Sequence, residues 1–282
     1  MKAVNAFILW AALCTAALPA AAQEKELERT GGPFVPTPKI VVEHMLRVAN
    51  VGAQDYVVDL GSGDGVIVLT AASQLKASGY GVDIDPALVQ RANTEAKRLG
   101  VADRASFRVQ DVFLADLSRA SVITLYLLPS MMINLRTKLL AEARPGTRVV
   151  SHDYTFDDWQ PDETLVLDVP EKEFINGVPK ATISLWTVPA RVEGKWQVRT
   201  DAGGQYAVAF RQKYQALSGS ADVGSRPVKL TAAALRGARI DFSLMEGAAR
   251  SHFTGTAGDD GMQGTVNLGG GRTARWTATR GE

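Results

Sequence analysis

The run Val57-Val58-Asp59-Leu60-Gly61-Ser62-Gly63-Asp64-Gly65 constrains this chain more than any other stretch. Its apolar start reads as a buried parallel strand, which passes through an acid into a glycine-rich turn and then into a helix over Val66 to Ala72. Strand, tight turn and helix N-terminus in succession open a doubly wound α/β sheet, and such sheets bind ligands at the carboxyl ends of their strands. A turn of this kind binds a nucleoside-like cofactor, and a side chain at Gly61 or Gly63 would hold that cofactor off the strand end. A dinucleotide loop spaces its glycines as G-x-G-x-x-G. Here the third glycine comes one residue early and Val66 stands in the usual place. Asp59 also precedes the turn, where a carboxylate would repel a pyrophosphate seated on the helix N-terminus. A cationic ligand suits it. S-adenosylmethionine, with its sulfonium and ammonium, fits this acid-before-glycine pattern better than NAD does.

The rest of the unit follows at the expected distances. A second strand, Gly79 to Asp83, ends in an acid about twenty residues past the loop, where a carboxylate accepts both ribose hydroxyls. Asp85 then caps a helix with Pro86 at its first position, and Leu88, Val89, Ala92 and Ala96 continue its apolar face. A third strand, Ala105 to Gln110, ends at Asp111-Val112. Gln110 and Asp111 can meet an adenine amino group while Val112 packs beside the ring. The fourth strand runs from Ser121 to Leu127 into Leu128-Pro129-Ser130, a helix spans Met131 to Ala143, and the fifth strand runs from Thr147 to His152. A helix over Lys39 to Val48 precedes the sheet.

These residues match a family. The region from Pro33 to about Pro189 resembles class I S-adenosylmethionine-dependent methyltransferases. Within them it is similar to the mitochondrial-type protein-lysine methyltransferases that modify the adenine-nucleotide translocase and the ATP synthase c-subunit, with their bacterial relatives closer still. The motifs that carry the resemblance are Pro33-Phe34-Val35-Pro36-Thr37-Pro38, the loop from Asp59 to Gly65, Leu125-Tyr126-Leu127-Leu128-Pro129, and Val150-Ser151-His152-Asp153 followed by Trp159 and Pro161. It implies that Phe34, Val35 and Thr37 close over the cofactor as a lid. The implied cofactor site is Phe34, Thr37, Asp59, Gly61, Ser62, Gly63, Asp83, Ile84, Gln110, Asp111 and Val112. The segment after strand four would face the methyl acceptor, with Tyr126, Leu128 and Pro129 in the substrate pocket. The Asn/Asp-Pro-Pro-aromatic motif of amide and nucleobase methyltransferases is missing there, which argues for a lysine amine and against a base or glutamine. Tyr126 and His152 are the catalytic candidates. Each also has a structural reading: Tyr126 packs the end of strand four, and His152 is a satisfied strand-end histidine rather than a general base. Asp64 caps the following helix or joins the site.

Charge excludes one broad class. Lys+Arg 31 nearly balances Asp+Glu 30, without a basic run, so the chain has no nucleic-acid footprint. The single cysteine, Cys14, rules out a disulfide framework. Three scattered histidines without ligand spacing argue against a metal site, and neither His44 nor His252 suggests a function. The partner implied is a protein substrate, membrane-associated or not.

Residues 1–22 read as a signal peptide: Lys2, an apolar run from Ala6 to Leu18, and small residues before Gln23, with cleavage after Ala22. The alternative is an uncleaved inner-membrane anchor, although Ala6 to Ala22 falls short of the roughly 20 residues of a confident span. Export would make the protein periplasmic or otherwise extracytoplasmic, and S-adenosylmethionine, made in the cytosol, should not cross a membrane unaided.

Residues 23–32 form a polar linker, 33–190 the methyltransferase domain and 191–282 a β-rich accessory domain. In the last of these, helical periodicity gives way to about eight short alternating runs, among them Gln205 to Tyr214, Val228 to Leu235 and Arg239 to Leu244. Tyr206, Val208 and Phe210 share one face, as do Ile240, Phe242 and Leu244. The expected fold is thus a Rossmann-like doubly wound methyltransferase sheet followed by a small antiparallel all-β barrel or sandwich. Two function classes follow: a methyltransferase of protein lysine, and an exported non-catalytic ligand- or partner-binding protein on the same folds.

Overall fold

The computed structural model describes residues 32–223, 226–258 and 260–281. The leader, Cys14 and the linker as far as Gly31 lie outside the described residues. Among the described residues no helix is long and apolar enough to cross a membrane.

The first half alternates strand and helix: α1 (Lys39–Val48), β1 (Tyr56–Leu60), α2 (Val66–Gln74), β2 (Ser78–Asp83), α3 (Pro86–Arg98), β3 (Ala105–Val109), β4 (Val122–Leu125), α4 (Pro129–Glu142) and β5 (Arg148–His152). It closes with β6 (Glu163–Asp168), the short helix α5 (Glu171–Asn176) and β7 (Lys180–Thr187). The seven strands lie in the order β3-β2-β1-β4-β5-β7-β6. The first five are parallel, whereas β7 inserts antiparallel between β5 and β6, so the sheet is mixed rather than wholly parallel. β6 and α5 escape the sequence reading. β6 is an edge strand whose inward residues are only Leu165 and Leu167, flanked by exposed acids, so its apolar signal is short.

One apolar layer packs α1, α2 and α3 against one face of the sheet through Val41, Met45, Ile67, Val68 and Ala92. The other face is filled by Leu125, Met132, Leu135, Phe156, Trp159 and Trp186. Asp85 caps α3 as its spacing demands, accepting from the backbone N–H of Ala87 at 2.7 Å with Pro86 in the first turn. Gly65 ends the loop in the left-handed region at φ 82°, and a Cβ there would stand 2.6 Å from the Phe107 ring. Only glycine brings the loop that close to β3.

The second half is antiparallel throughout: β8 (Gly194–Thr200), β9 (Gln205–Lys213), β10 (Ala216–Val223), β11 (Arg226–Lys229), β12 (Thr231–Arg236), β13 (Arg239–Glu246), β14 (Ala249–Ala257), β15 (Gly261–Asn267) and β16 (Thr273–Arg280). Their order is β11-β10-β9-β8-β16-β15-β14-β13-β12. The edge strands β11 and β12 are separated only by Leu230, so the two edges meet there and the sheet curls into a nearly closed barrel rather than a sandwich. The run expected as one strand over Val228 to Leu235 is two, broken at Leu230, and a bulge between Thr231 and Ala234 helps the turn. Tyr206, Phe210, Phe242, Phe253 and Trp276 fill the interior, with Phe242 stacked on Phe253 at 4.7 Å between centroids.

Candidate functional site

The carboxyl ends of β1, β2 and β4 open into a cleft of about 600 Å³, a size suited to a small organic ligand. Five acids line it, Asp59, Asp64, Asp83, Asp85 and Asp111. Asp59, at 2 % exposed, forms its floor and accepts from the Thr124 hydroxyl at 2.7 Å. Burial pushes its carboxyl up to about 7; the Thr124 bond opposes that rise, and the charges of Asp83 and Asp64 add to it. Asp83, at the end of β2, accepts from Gly63 N–H at 2.8 Å and from Asp85 N–H at 2.9 Å, tying the glycine loop to the next turn. Asp111 caps a 3-10 turn over Val112–Leu114 through Phe113 N–H at 2.9 Å.

Phe34 covers the loop from above. Gly63 has φ 51°, and a Cβ on it would meet the Phe34 ring at 2.5 Å. The Arg91 guanidinium stands 5.4 Å from that ring's centroid and pairs with Asp64 at 2.9 Å. Pairing with Arg91 and a 3.4 Å contact to Val66 N–H give Asp64 a structural part beside its place in the lining.

Of the residues singled out from sequence, the cleft gathers Phe34, Thr37, Asp59, Gly61, Ser62, Gly63, Asp83, Ile84, Asp111, Val112, Tyr126 and Leu128. Gln110 and Pro129 are not in its lining. The Gln110 amide turns back to donate to Leu114 O at 2.8 Å, and Pro129 begins α4. The lining also holds Asp85, Leu88, Met131 and Tyr154. Tyr154 follows directly on the His152-Asp153 pair, so an aromatic one residue past that motif was the available signal.

His152 stands behind the cleft. It is 1 % exposed and lies against Tyr126, with 4.0 Å between ring centroids. Burial pushes its imidazole down to about 4; the Asp153 charge opposes the fall and the Lys172 ammonium adds to it. Lys172, itself 2 % exposed, pairs with Asp153 and holds its Nζ 3.3 Å from His152 Nε2. A neutral imidazole must accept there, which leaves the proton on Nδ1, an atom with no hydrogen-bond partner in the structure. His152 thus sits behind the cleft, engaged by Lys172 at Nε2 and without a hydrogen-bond partner at Nδ1. Lys172→Met keeps the apolar stem but leaves Asp153 with the Thr182 N–H and solvent. Chemical denaturation of that variant is expected to register about 2 kcal/mol of lost stability.

Among the described residues no group of three or more His, Cys, Asp or Glu is arranged to hold a metal ion. The donor set fits S-adenosylmethionine instead. Five carboxylates line one cleft, as suits a cationic, polyhydroxyl ligand, and the buried Ser62 Oγ at the loop has no partner within the protein.

Residues 59–163 match the family model described as the ANTKMT methyltransferase domain. A protein-lysine N-methyltransferase of Saccharolobus islandicus is 40 % identical over 137 residues, covering 48 % of this chain and 85 % of that protein. The chain belongs to the same methyltransferase family as that protein and is related to the ANTKMT type. It is a class I, S-adenosylmethionine-dependent methyltransferase. The mouse adenine nucleotide translocase lysine N-methyltransferase is 34 % identical over 129 residues, which make up 46 % of this chain, and the chain spans only about half of that enzyme, 56 %. A solved structure titled as an RNA methyltransferase from Salinibacter ruber in complex with S-adenosyl-L-homocysteine is 47 % identical. It covers 56 % of this chain and 96 % of that one at a TM-score of 0.51. The family match runs from the end of β1 to the start of β6, so it covers part of the α/β half and none of the barrel.

Proposed function

We propose that this methyltransferase modifies the side-chain amine of a protein lysine, at the end of the cleft bounded by Tyr126 and Tyr154. The observation that carries the reading is the make-up of that end. Tyr126, Leu128, Met131 and Tyr154 line it, and none of the four is a carboxylate or an amide. The rings of Tyr126 and Tyr154 are stacked at 6.2 Å. Aromatic faces attract an ammonium as it arrives, and withdrawal from water then disfavours its charged form, so the amine releases its proton to solvent as it enters. A neutral amine is already a competent nucleophile. The residues need to aim its lone pair along the line of the breaking bond, and positioning of that kind lowers the barrier without a dedicated base. Bound in the cleft, S-adenosylmethionine supplies a methyl group activated by a positive sulfur, for which the buried Asp59 is a suitable neighbour. Relatives named as lysine methyltransferases support the reading.

The relative titled as an RNA methyltransferase favours a second reading. Against it stand Leu125-Tyr126-Leu127-Leu128-Pro129, in place of the motif that clamps a nucleobase amine, and a net charge of only +1. Incubating the purified chain with tritiated S-adenosylmethionine and a host extract, then separating protein from RNA, distinguishes the two. Label in protein, recovered as methyl-lysine by mass spectrometry, is the expected result. Label confined to RNA, or in neither fraction, overturns it.

A further inference from the structure

The segment 153–162 links β5 to β6 and brings Tyr154 to the cleft. Its inner side is held by the α/β half. Trp186 Nε1 donates to Trp159 O at 2.7 Å, and Arg136 donates to Phe156 O at 3.1 Å. Its outer side is held by the barrel, through the two-residue turn Tyr214-Gln215 between β9 and β10. Gln215 Oε1 accepts from Trp159 Nε1 at 2.9 Å, and its Nε2 donates to Gln160 O at 2.8 Å and to Asp162 Oδ1 at 3.2 Å. The Tyr214 hydroxyl donates to Asp158 Oδ1 at 2.9 Å, and its ring stacks on Trp159 at 5.7 Å.

That turn is fixed in its own right. Tyr214 has φ 53°, a conformation in which hairpins prefer Asn or Gly. Gln212 holds it there: its Nε2 donates to Tyr214 O at 2.8 Å and to Ala190 O at 2.9 Å, while its Oε1 accepts from Val192 N–H at 2.8 Å. One glutamine therefore joins the turn to the connection between the two halves. A barrel needing only a hairpin here has no use for a tyrosine in the left-handed region, whereas this tyrosine engages the 153–162 segment with both ring and hydroxyl.

We propose that the barrel serves the transferase site: the Tyr214-Gln215 turn fixes the 153–162 segment so that Tyr154 stands at the acceptor end of the cleft. Tyr214 and Gln215 are then positioning residues for transfer, acting through Trp159 and Asp158 and not by touching either substrate. The inference rests on the reading of that end as the lysine slot. It also divides the cleft, because none of these contacts reaches Asp59, Asp83 or Asp111.

The test uses the full chain with Gln215→Ala, with Tyr214→Phe, which keeps the ring and the fold, and with both together. Three quantities are measured: hydrogen exchange of the amides in 154–160, affinity for S-adenosylhomocysteine by calorimetry, and methyl transfer to poly-L-lysine. The double variant is expected to exchange about tenfold faster across the segment and to lose about tenfold in kcat/KM for poly-L-lysine. Its affinity for S-adenosylhomocysteine should stay within about twofold of the unaltered chain, the split that a general loss of structure does not produce. Unchanged exchange in the double variant overturns the proposal, and so does an affinity that falls in step with transfer. Failure of the unaltered chain to methylate poly-L-lysine counts against the lysine reading alone. The positioning role is then decided by exchange and affinity together.

Discussion

Asp83→Ala weakens binding of S-adenosylmethionine about 100-fold, the loss expected when a charge-assisted interaction worth about 1.5–3 kcal/mol disappears. The size follows from two duties that meet in one carboxylate. Its oxygens accept from Gly63 N–H and Asp85 N–H, so it holds the glycine loop and the start of α3 in register. It also faces the cleft at the strand end where ribose hydroxyls are bound in sheets of this kind. Asp83→Asn keeps one acceptor oxygen and is expected to fall between, at about a tenfold loss. Calorimetric titration with thermal denaturation alongside separates the two duties, since the fold should survive on apolar layers that Asp83 does not touch. Affinity within about twofold of the unaltered chain in both variants would remove Asp83 from the site.

The glycine loop, Asp59, Asp83 and the Asp85-Pro86 cap were legible because each is a local device: a backbone conformation, a strand-end acid, a helix start. What escaped depends on contacts between segments far apart in sequence. β7 carries an ordinary strand pattern, and nothing in it says that it runs antiparallel beside β5. Gln110 sits where an adenine contact belongs, yet its amide finds Leu114 O within its own turn, a competitor that strand spacing cannot reveal. Tyr154 reads as a loop aromatic until the fold turns it toward Tyr126. Most hidden was the turn at Tyr214-Gln215. The alternating faces of the barrel read as a β-rich unit with its own core, and Phe242, Phe253 and Trp276 share one buried cluster in its interior. The turn's purchase on Trp159 lies on residues that the strand pattern assigns to no face. A fragment ending near residue 190 would leave the Trp159 indole N–H without Gln215 and one side of the ring without Tyr214.

The pH dependence of cofactor binding follows from Asp59. In the ligand-free chain its carboxyl titrates near 7, chiefly because burial penalises the anion. A cationic ligand beside it needs that anion, so below pH 7 binding must first expel a proton. Between pH 7 and pH 5 the affinity for S-adenosylmethionine is expected to fall about 50-fold, with a slope that approaches tenfold per unit below pH 6. Stability is a poor readout of this group, because two buried residues pull in opposite directions. The folded Asp59 keeps its proton up to about 7 while the unfolded carboxyl loses it near 3.8, so its contribution declines as pH rises between those values. The folded His152 refuses a proton down to about 4 while the unfolded imidazole takes one near 6.5, so its contribution declines as pH falls across that window. Proton release on binding isolates Asp59. Titrations at pH 6 in two buffers of different ionisation enthalpy should report close to one proton released per cofactor bound. Asp59→Asn, which can retain the Thr124 contact, should bind more weakly at pH 8, release no proton and show a flat profile from pH 5 to 7. A flat profile in the unaltered chain, or an undiminished slope in Asp59→Asn, would assign the proton to another group and take Asp59 away from the cation.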